Sequence, residues 1–180
     1  MSLNIKNYTI VDVPADGSCF FHAVILGMHY SKYGCFPSTE DLNTFSQLLR
    51  QKVVDRIVRR MKRNPSNMQF LMGSEFKNLH HYEKMMRKSC TWAGQLEVLT
   101  TSNIIDGISI YHDMIPNKLT KIKEMSSNEN KSTKKIKLLL QDVNVMGTHY
   151  QLIIPKTHVK SIPYCTGYTL QFIDNVSILQ

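Results

Sequence analysis

Apolar residues at Leu42, Phe45, Leu48, Leu49, Val53, Ile57 and Met61 recur at three- and four-residue intervals, which predicts a long amphipathic helix from Ser38 to about Asn64-Pro65. Ser38, with Asp41 three positions on, supplies a start that resembles a capping box. Upstream, Ala23-Val24-Ile25-Leu26 carries a helix from Cys19 to about Met28 or Tyr30, and Ser31 to Pro37 reads as loop. Asn7 to Val13 alternates loosely between apolar and polar residues and ends at Pro14, as a short edge strand or extended lead-in does. Further on, Met68 to Met72 and Glu75 to Lys88 read as two shorter helices joined at Gly73-Ser74, and Gly94 to Asp106 as another. Ile108 to Tyr111, Lys135 to Leu140 and Thr148 to Ile154 are β-branched or apolar runs that read as strands, the last two paired as a hairpin. Pro116 to Thr133 is the least ordered stretch on composition. Together these elements predict an α/β (α+β) fold with a small twisted sheet of about four to five strands between helices.

A chain of 180 residues makes one ordinary domain, large enough to bury a core without metal or disulfide staples. Cys19, Cys35, Cys90 and Cys165 are scattered, with no Cys-x-x-Cys pair and no Cys/His cluster at zinc spacing, so they read as reduced thiols in a reducing compartment. Neither an apolar leader nor a bilayer-length run is present, which predicts a soluble, cytoplasmic protein with no membrane partner. The formal charge of +8 suits an acidic partner without choosing one. Residues 50 to 63 carry Arg50, Lys52, Arg56, Arg59, Arg60, Lys62 and Arg63 against Asp55 alone. We read that side as a solvated helix face and not as a nucleic-acid site.

The chemistry concentrates in Asp16-Gly17-Ser18-Cys19, a polar turn that delivers a cysteine to a helix N-terminus. Unpaired N–H groups and the positive end of the macrodipole favour thiolate there and offer donors to an oxyanion. Gly147-Thr148-His149-Tyr150-Gln151-Leu152 places a histidine near the start of a late strand, and Trp92-Ala93-Gly94-Gln95-Leu96-Glu97 opens a helix between the two. These three stretches, in this order across about residues 9 to 155, resemble the ovarian-tumour (OTU) family of cysteine proteases. The resemblance leaves residues 156 to 180 as a C-terminal extension of a single domain covering 1 to 180.

The resemblance implies a papain-type fold with His149 on a central strand, and a deubiquitinase that cuts after the C-terminal glycine of ubiquitin, or of a ubiquitin-like modifier, with no cofactor and no metal. It implies Cys19 as nucleophile, His149 as the imidazole, and the backbone of Gly17, Ser18 and Cys19 as oxyanion donors. Relatives commonly place Asp or Asn two residues beyond the histidine, where this chain has Gln151. The third role is therefore open between Gln151, Asp16, and Asn144 or Asp142, with a shared role for Asp16 and Gln151 favoured. Trp92 reads as a packing anchor and Glu97 as an early-turn acid favoured by the dipole. Rival readings are a catalytically weak ubiquitin-binding module, a polyprotein-processing peptidase and a nucleic-acid binder. OTU domains occur in eukaryotes, viruses and intracellular bacteria, and the richness in Asn, Lys and Ile leans towards a viral source.

Overall fold

The structure, a computed structural model, describes residues 2–67, 75–105, 107–125, 135–143, 147–156 and 162–165. Among the described residues four α-helices, α1 (Cys19–Tyr33), α2 (Thr39–Arg63), α3 (Leu79–Met86) and α4 (Gln95–Ser102), accompany eight strands. The strands are β1 (Ser2–Asn4), β2 (Tyr8–Val11), β3 (Phe36–Pro37), β4 (Ile108–Ile115), β5 (Lys118–Met125), β6 (Ile136–Val143), β7 (Gly147–Pro155) and β8 (Tyr164–Cys165). This is the mixed α and β fold that the sequence predicts.

Helix α1 is the hub because its sequence is apolar all round, and a helix of that kind has to be enclosed. Phe20, Phe21, Ala23 and Val24 are completely buried, and α1 packs on β6, β7 and α2. Gly27 permits the close approach, since a Cβ there would stand 2.9 Å from both the Ile136 and Leu152 side chains. Helix α2 starts where Ser38 accepts the Asp41 N–H at 3.1 Å, and buries Phe45, Leu49, Val53, Ile57 and Met61. Glu40 and Asp41 occupy its first turn and Arg60, Lys62 and Arg63 its last, so both ends suit the macrodipole.

Six strands form one sheet in the order β1-β5-β4-β6-β7-β2, one or two more than the pattern predicts. The additions are β1 and β5. Strand β5 lies in the stretch read as least ordered: its Lys-rich sequence hides the period, and a register shift against β4 breaks the alternation near Ile122. It follows β4 through a turn in which Asn117 has φ 62°, a left-handed value that asparagine tolerates. Strands β6 and β7 form the expected hairpin, with Leu139 opposite Gln151 and Gln141 opposite His149. Strand β2 pairs antiparallel with β7, Tyr8 opposite Pro155 through Val11 opposite Leu152. Leu152 and Ile154 face the main core with α1, while Tyr111, Leu119, Leu139 and Ile153 form a second, smaller core. The helix expected at Met68 to Met72 lies outside the described residues, as does most of the extension beyond residue 156.

One expectation is overturned: Cys35 and Cys165 are joined in a disulfide. Strand β3 pairs in parallel with β8, which sets Phe36 beside Tyr164 and Pro37 beside Cys165. That brings the Cys35 and Cys165 Cα atoms to 6.0 Å, a normal bridge span. Sequence spacing cannot show this, because 130 residues separate the two cysteines. Closing a loop of that length removes about 4 to 5 kcal/mol of unfolded-state freedom in the chain-entropy description. Thermal melts with and without reductant are expected to differ by on the order of 10 °C. Cys35→Ser should abolish the difference.

Candidate active site

Cys19 opens α1, directly after Ser18 at the N-cap, and is 1% exposed. The backbone N–H groups of Tyr150 and Phe20 favour the charged form of its sulfur. Tyr150 is the informative neighbour, because it follows His149 on β7. Edge-to-face packing of Phe20 on Tyr150, with ring centroids 5.2 Å apart, holds helix and strand together at this point. Burial pushes the Cys19 thiol up from its ordinary value, against the two amides and the Arg50 charge, with the Asp16 carboxylate adding to the rise. Burial thus opposes the thiolate that the helix N-terminus favours.

His149 is buried, and its two ring nitrogens differ in surroundings. Nε2 lies 3.4 Å from Asp12 Oδ1, whereas Nδ1 is buried with no hydrogen-bond partner among the described residues. The same Asp12 oxygen accepts the Gln151 side-chain N–H at 2.8 Å. A carboxylate only accepts, so the amide nitrogen of Gln151 is the end that must face it. Gln151 thus braces Asp12 and does not accept from His149. The carboxyl of Asp12 is held below its ordinary value, first by the Gln151 amide, against burial as the next largest effect, and then by His149 and the Val13 N–H.

Asp12 was not a candidate on the sequence, and the β2–β7 register explains its position. Tyr8 to Val11 pair with Pro155 to Leu152, so the next residue of the lead-in, Asp12, falls beside Gln151 and diagonal to His149. Asp16 goes elsewhere. Its Oδ1 accepts the Ser18 N–H at 2.8 Å and lies 3.9 Å from His22 Nδ1. The side chains of Asp142 and Asn144 lie outside the described residues.

The turn itself is tightly built. The Cys19 N–H makes a 3.2 Å bond to the Asp16 carbonyl, and the Ser18 N–H is occupied by the Asp16 carboxylate. Of the three amides read as oxyanion donors, only that of Gly17 has no such bond among the described residues. Gly17 is required for space: a Cβ there would stand 2.1 Å from the Cys90 carbonyl carbon, and backbone cannot yield as a side chain can.

Behind the turn, Arg50 is fully buried, although the sequence places it with the exposed cations of α2. Its helical spacing from Ser46 and Ile57 puts it on the inward stripe, a signal the sequence does carry. Arg56, Arg59, Arg60, Lys62 and Arg63 are exposed, and Asp55 is taken by Arg87 at 2.6 Å. Trp92 is 38% exposed and so is not the packing anchor its size suggests. Glu97 is buried, accepting the Gly94 N–H at 2.7 Å and the Tyr82 hydroxyl at 2.5 Å. It closes the start of α4 and ties it to α3. Among the described residues no group of three or more His, Cys, Asp or Glu is placed to hold a metal, and no helix is long and apolar enough to cross a membrane.

Comparison with known proteins identifies the family and the fold. A family model described as OTU-like cysteine protease matches residues 14–150. A comparison with curated protein sequences finds no match. Among solved structures, the viral OTU domain protease from Taggert virus is 17% identical, covers 91% of this chain and 89% of its own, and superposes with a TM-score of 0.60. The Hazara virus OTU bound to ubiquitin is 15% identical, covers 87% of each chain, and has a TM-score of 0.59. An OTU deubiquitinase from Wolbachia pipientis wMel bound to ubiquitin is 12% identical over 83% of this chain and 97% of its own, with a TM-score of 0.53.

Proposed function

Because this chain belongs to the OTU-like cysteine protease family, we propose that it is a deubiquitinase, hydrolysing peptide or isopeptide bonds after the C-terminal glycine of ubiquitin. The observation that carries the chemistry is His149, whose Nε2 lies 3.4 Å from the Asp12 carboxylate while its buried Nδ1 has no partner among the described residues, on the strand that packs on the helix Cys19 opens. Similarity to the ubiquitin-bound OTU proteins from Hazara virus and Wolbachia supports ubiquitin as the substrate. A terminal Gly-Gly suits a narrow slot beside Cys19 that excludes side chains.

In this reading the neutral thiol gives its proton to His149 Nδ1, the ring nitrogen without another partner, as sulfur attacks the glycine carbonyl carbon. Asp12 steadies the imidazolium through Nε2–H. The Gly17 amide, joined by the Cys19 amide when its long bond to Asp16 is exchanged for the substrate, receives the oxyanion. Imidazolium then protonates the departing amine, leaving an acyl thioester, which water hydrolyses by the same proton path in reverse. The weakly active binding module suggested by Gln151 loses its basis, since a carboxylate is present beside His149 after all.

Incubation with ubiquitin carrying a C-terminal electrophile is the direct test. A covalent adduct of protein plus ubiquitin that maps to Cys19 is expected. No adduct with ubiquitin or with ubiquitin-like probes, from protein that unfolds cooperatively, would overturn the proposal.

A further inference from the structure

A cation buried in a protein costs several kcal/mol unless its surroundings replace water, usually by a carboxylate. Among the described residues, Arg50 has no carboxylate at ion-pair distance. Its partners are the oxygen atoms of two backbone segments. Nη1 donates to the Met86 carbonyl at 3.2 Å and to the Thr91 carbonyl at 2.8 Å. Nη2 donates to the Gly17 carbonyl at 2.7 Å, the Ser89 carbonyl at 3.1 Å and the Ser18 hydroxyl at 3.2 Å. The guanidinium carbon lies 4.4 Å from the centroid of the Phe21 ring, on the helix that Cys19 opens. Ser18 completes the junction by donating its hydroxyl to the Ser89 carbonyl at 2.9 Å.

These bonds have a direction. A trans peptide points its C=O and N–H opposite ways, so gripping the Gly17 carbonyl fixes the Gly17–Ser18 peptide, whose N–H is held by Asp16 and which lies between the Gly17 and Cys19 amides. The other clamped segment, 86–91, includes Cys90, whose backbone abuts Gly17 on the side where a Cβ would collide. A planar fork with several donors can span two backbones at once, which a single ammonium cannot. We infer that Arg50 is a positioning residue for hydrolysis: it clamps the Gly17-Ser18 peptide to the 86–91 segment, holding in place the turn whose flanking Gly17 and Cys19 amides meet the oxyanion, and keeps a buried positive charge behind Cys19. The inference rests on the deubiquitinase reading for its kinetic readout but not for its thiol readout. The Arg50 charge draws the Cys19 thiol down against the larger upward push of burial, and burial also opposes the charge on Arg50 itself.

Arg50→Met and Arg50→Lys separate grip from charge. Three quantities are measured: the unfolding transition, the pH midpoint for iodoacetamide alkylation of Cys19 by peptide mass spectrometry, and kcat and KM on a fluorogenic ubiquitin substrate. Arg50→Met is expected to raise the alkylation midpoint and to lower kcat about 100-fold, with KM within about threefold. Arg50→Lys is expected to keep the midpoint within about 0.3 unit and still lose about tenfold in kcat. Folded Arg50→Met with the wild-type midpoint and kcat would overturn the inference, and wild-type kcat in Arg50→Lys would overturn the clamp. If neither variant unfolds cooperatively, Ser18→Ala decides, because it cuts one strut and leaves the charge. A tenfold loss in kcat is expected there, and no loss overturns the clamp. Should the wild-type protein not process ubiquitin at all, the substrate reading fails, and the alkylation midpoints alone decide for or against Arg50.

Discussion

Cys19→Ala and His149→Ala are each expected to reduce hydrolysis of a ubiquitin substrate by at least about four orders of magnitude, since removing either partner of a nucleophile and base pair costs nearly as much as removing both. Ubiquitin affinity and melting temperature should change little. Both side chains are small, and the core around them is supplied by Phe20, Phe21, Leu152 and Ile154. Calorimetric binding to ubiquitin alongside turnover makes the comparison. Turnover by purified Cys19→Ala within tenfold of wild type would remove the assignment. Cys90, the one other free thiol among the described residues, should tolerate serine.

The second large effect concerns the carboxylate beside His149. Asp12→Asn is expected to lower kcat by two to four orders of magnitude with KM nearly constant, because the charge acts on the imidazolium formed during reaction. Gln151→Ala should cost about tenfold, as it removes only the brace on Asp12. Asp16→Asn should also cost about tenfold, through the Ser18 amide that its carboxylate holds. Gln151→Asp, which would restore the usual family residue, should not help: two carboxylates then share one site and one of them is driven to hold a proton. The informative variant is the exchange, Asp12→Asn with Gln151→Asp, which moves the single carboxylate across the strand pair. It should recover at least tenfold of what Asp12→Asn loses. Wild-type kcat in Asp12→Asn, or an exchange no better than the single variant, would refute the role of Asp12.

The helices and the turn from Asp16 to Cys19 were legible in the sequence because their signals are local. Ser38 with Asp41, the four-residue spacing from Phe45 to Met61, and Asp16 to Cys19 before an apolar run each lie within a few turns of chain. What escaped depends on pairings between distant strands. Asp12 meets His149 across 137 positions of sequence, and only the β2–β7 register reveals it. The Cys35–Cys165 bridge needs the β3–β8 pairing in the same way. Arg50 is a different case. Its place on the inward stripe of α2 was readable, but averaging it with six neighbouring cations hid a buried charge inside a surface pattern.

The family match begins at residue 14, two residues after Asp12. A polypeptide trimmed to that boundary would keep the cysteine, the histidine and the Arg50 clamp, yet would lack β1, β2 and the counter-charge they deliver. It would also leave one side of β7 unpaired, at the strand that carries the histidine. If Asp12 plays the part proposed for it, the leading dozen residues act as an intramolecular cofactor in peptide form. Supplied separately as a synthetic strand, they are what a shortened enzyme would need to regain its rate.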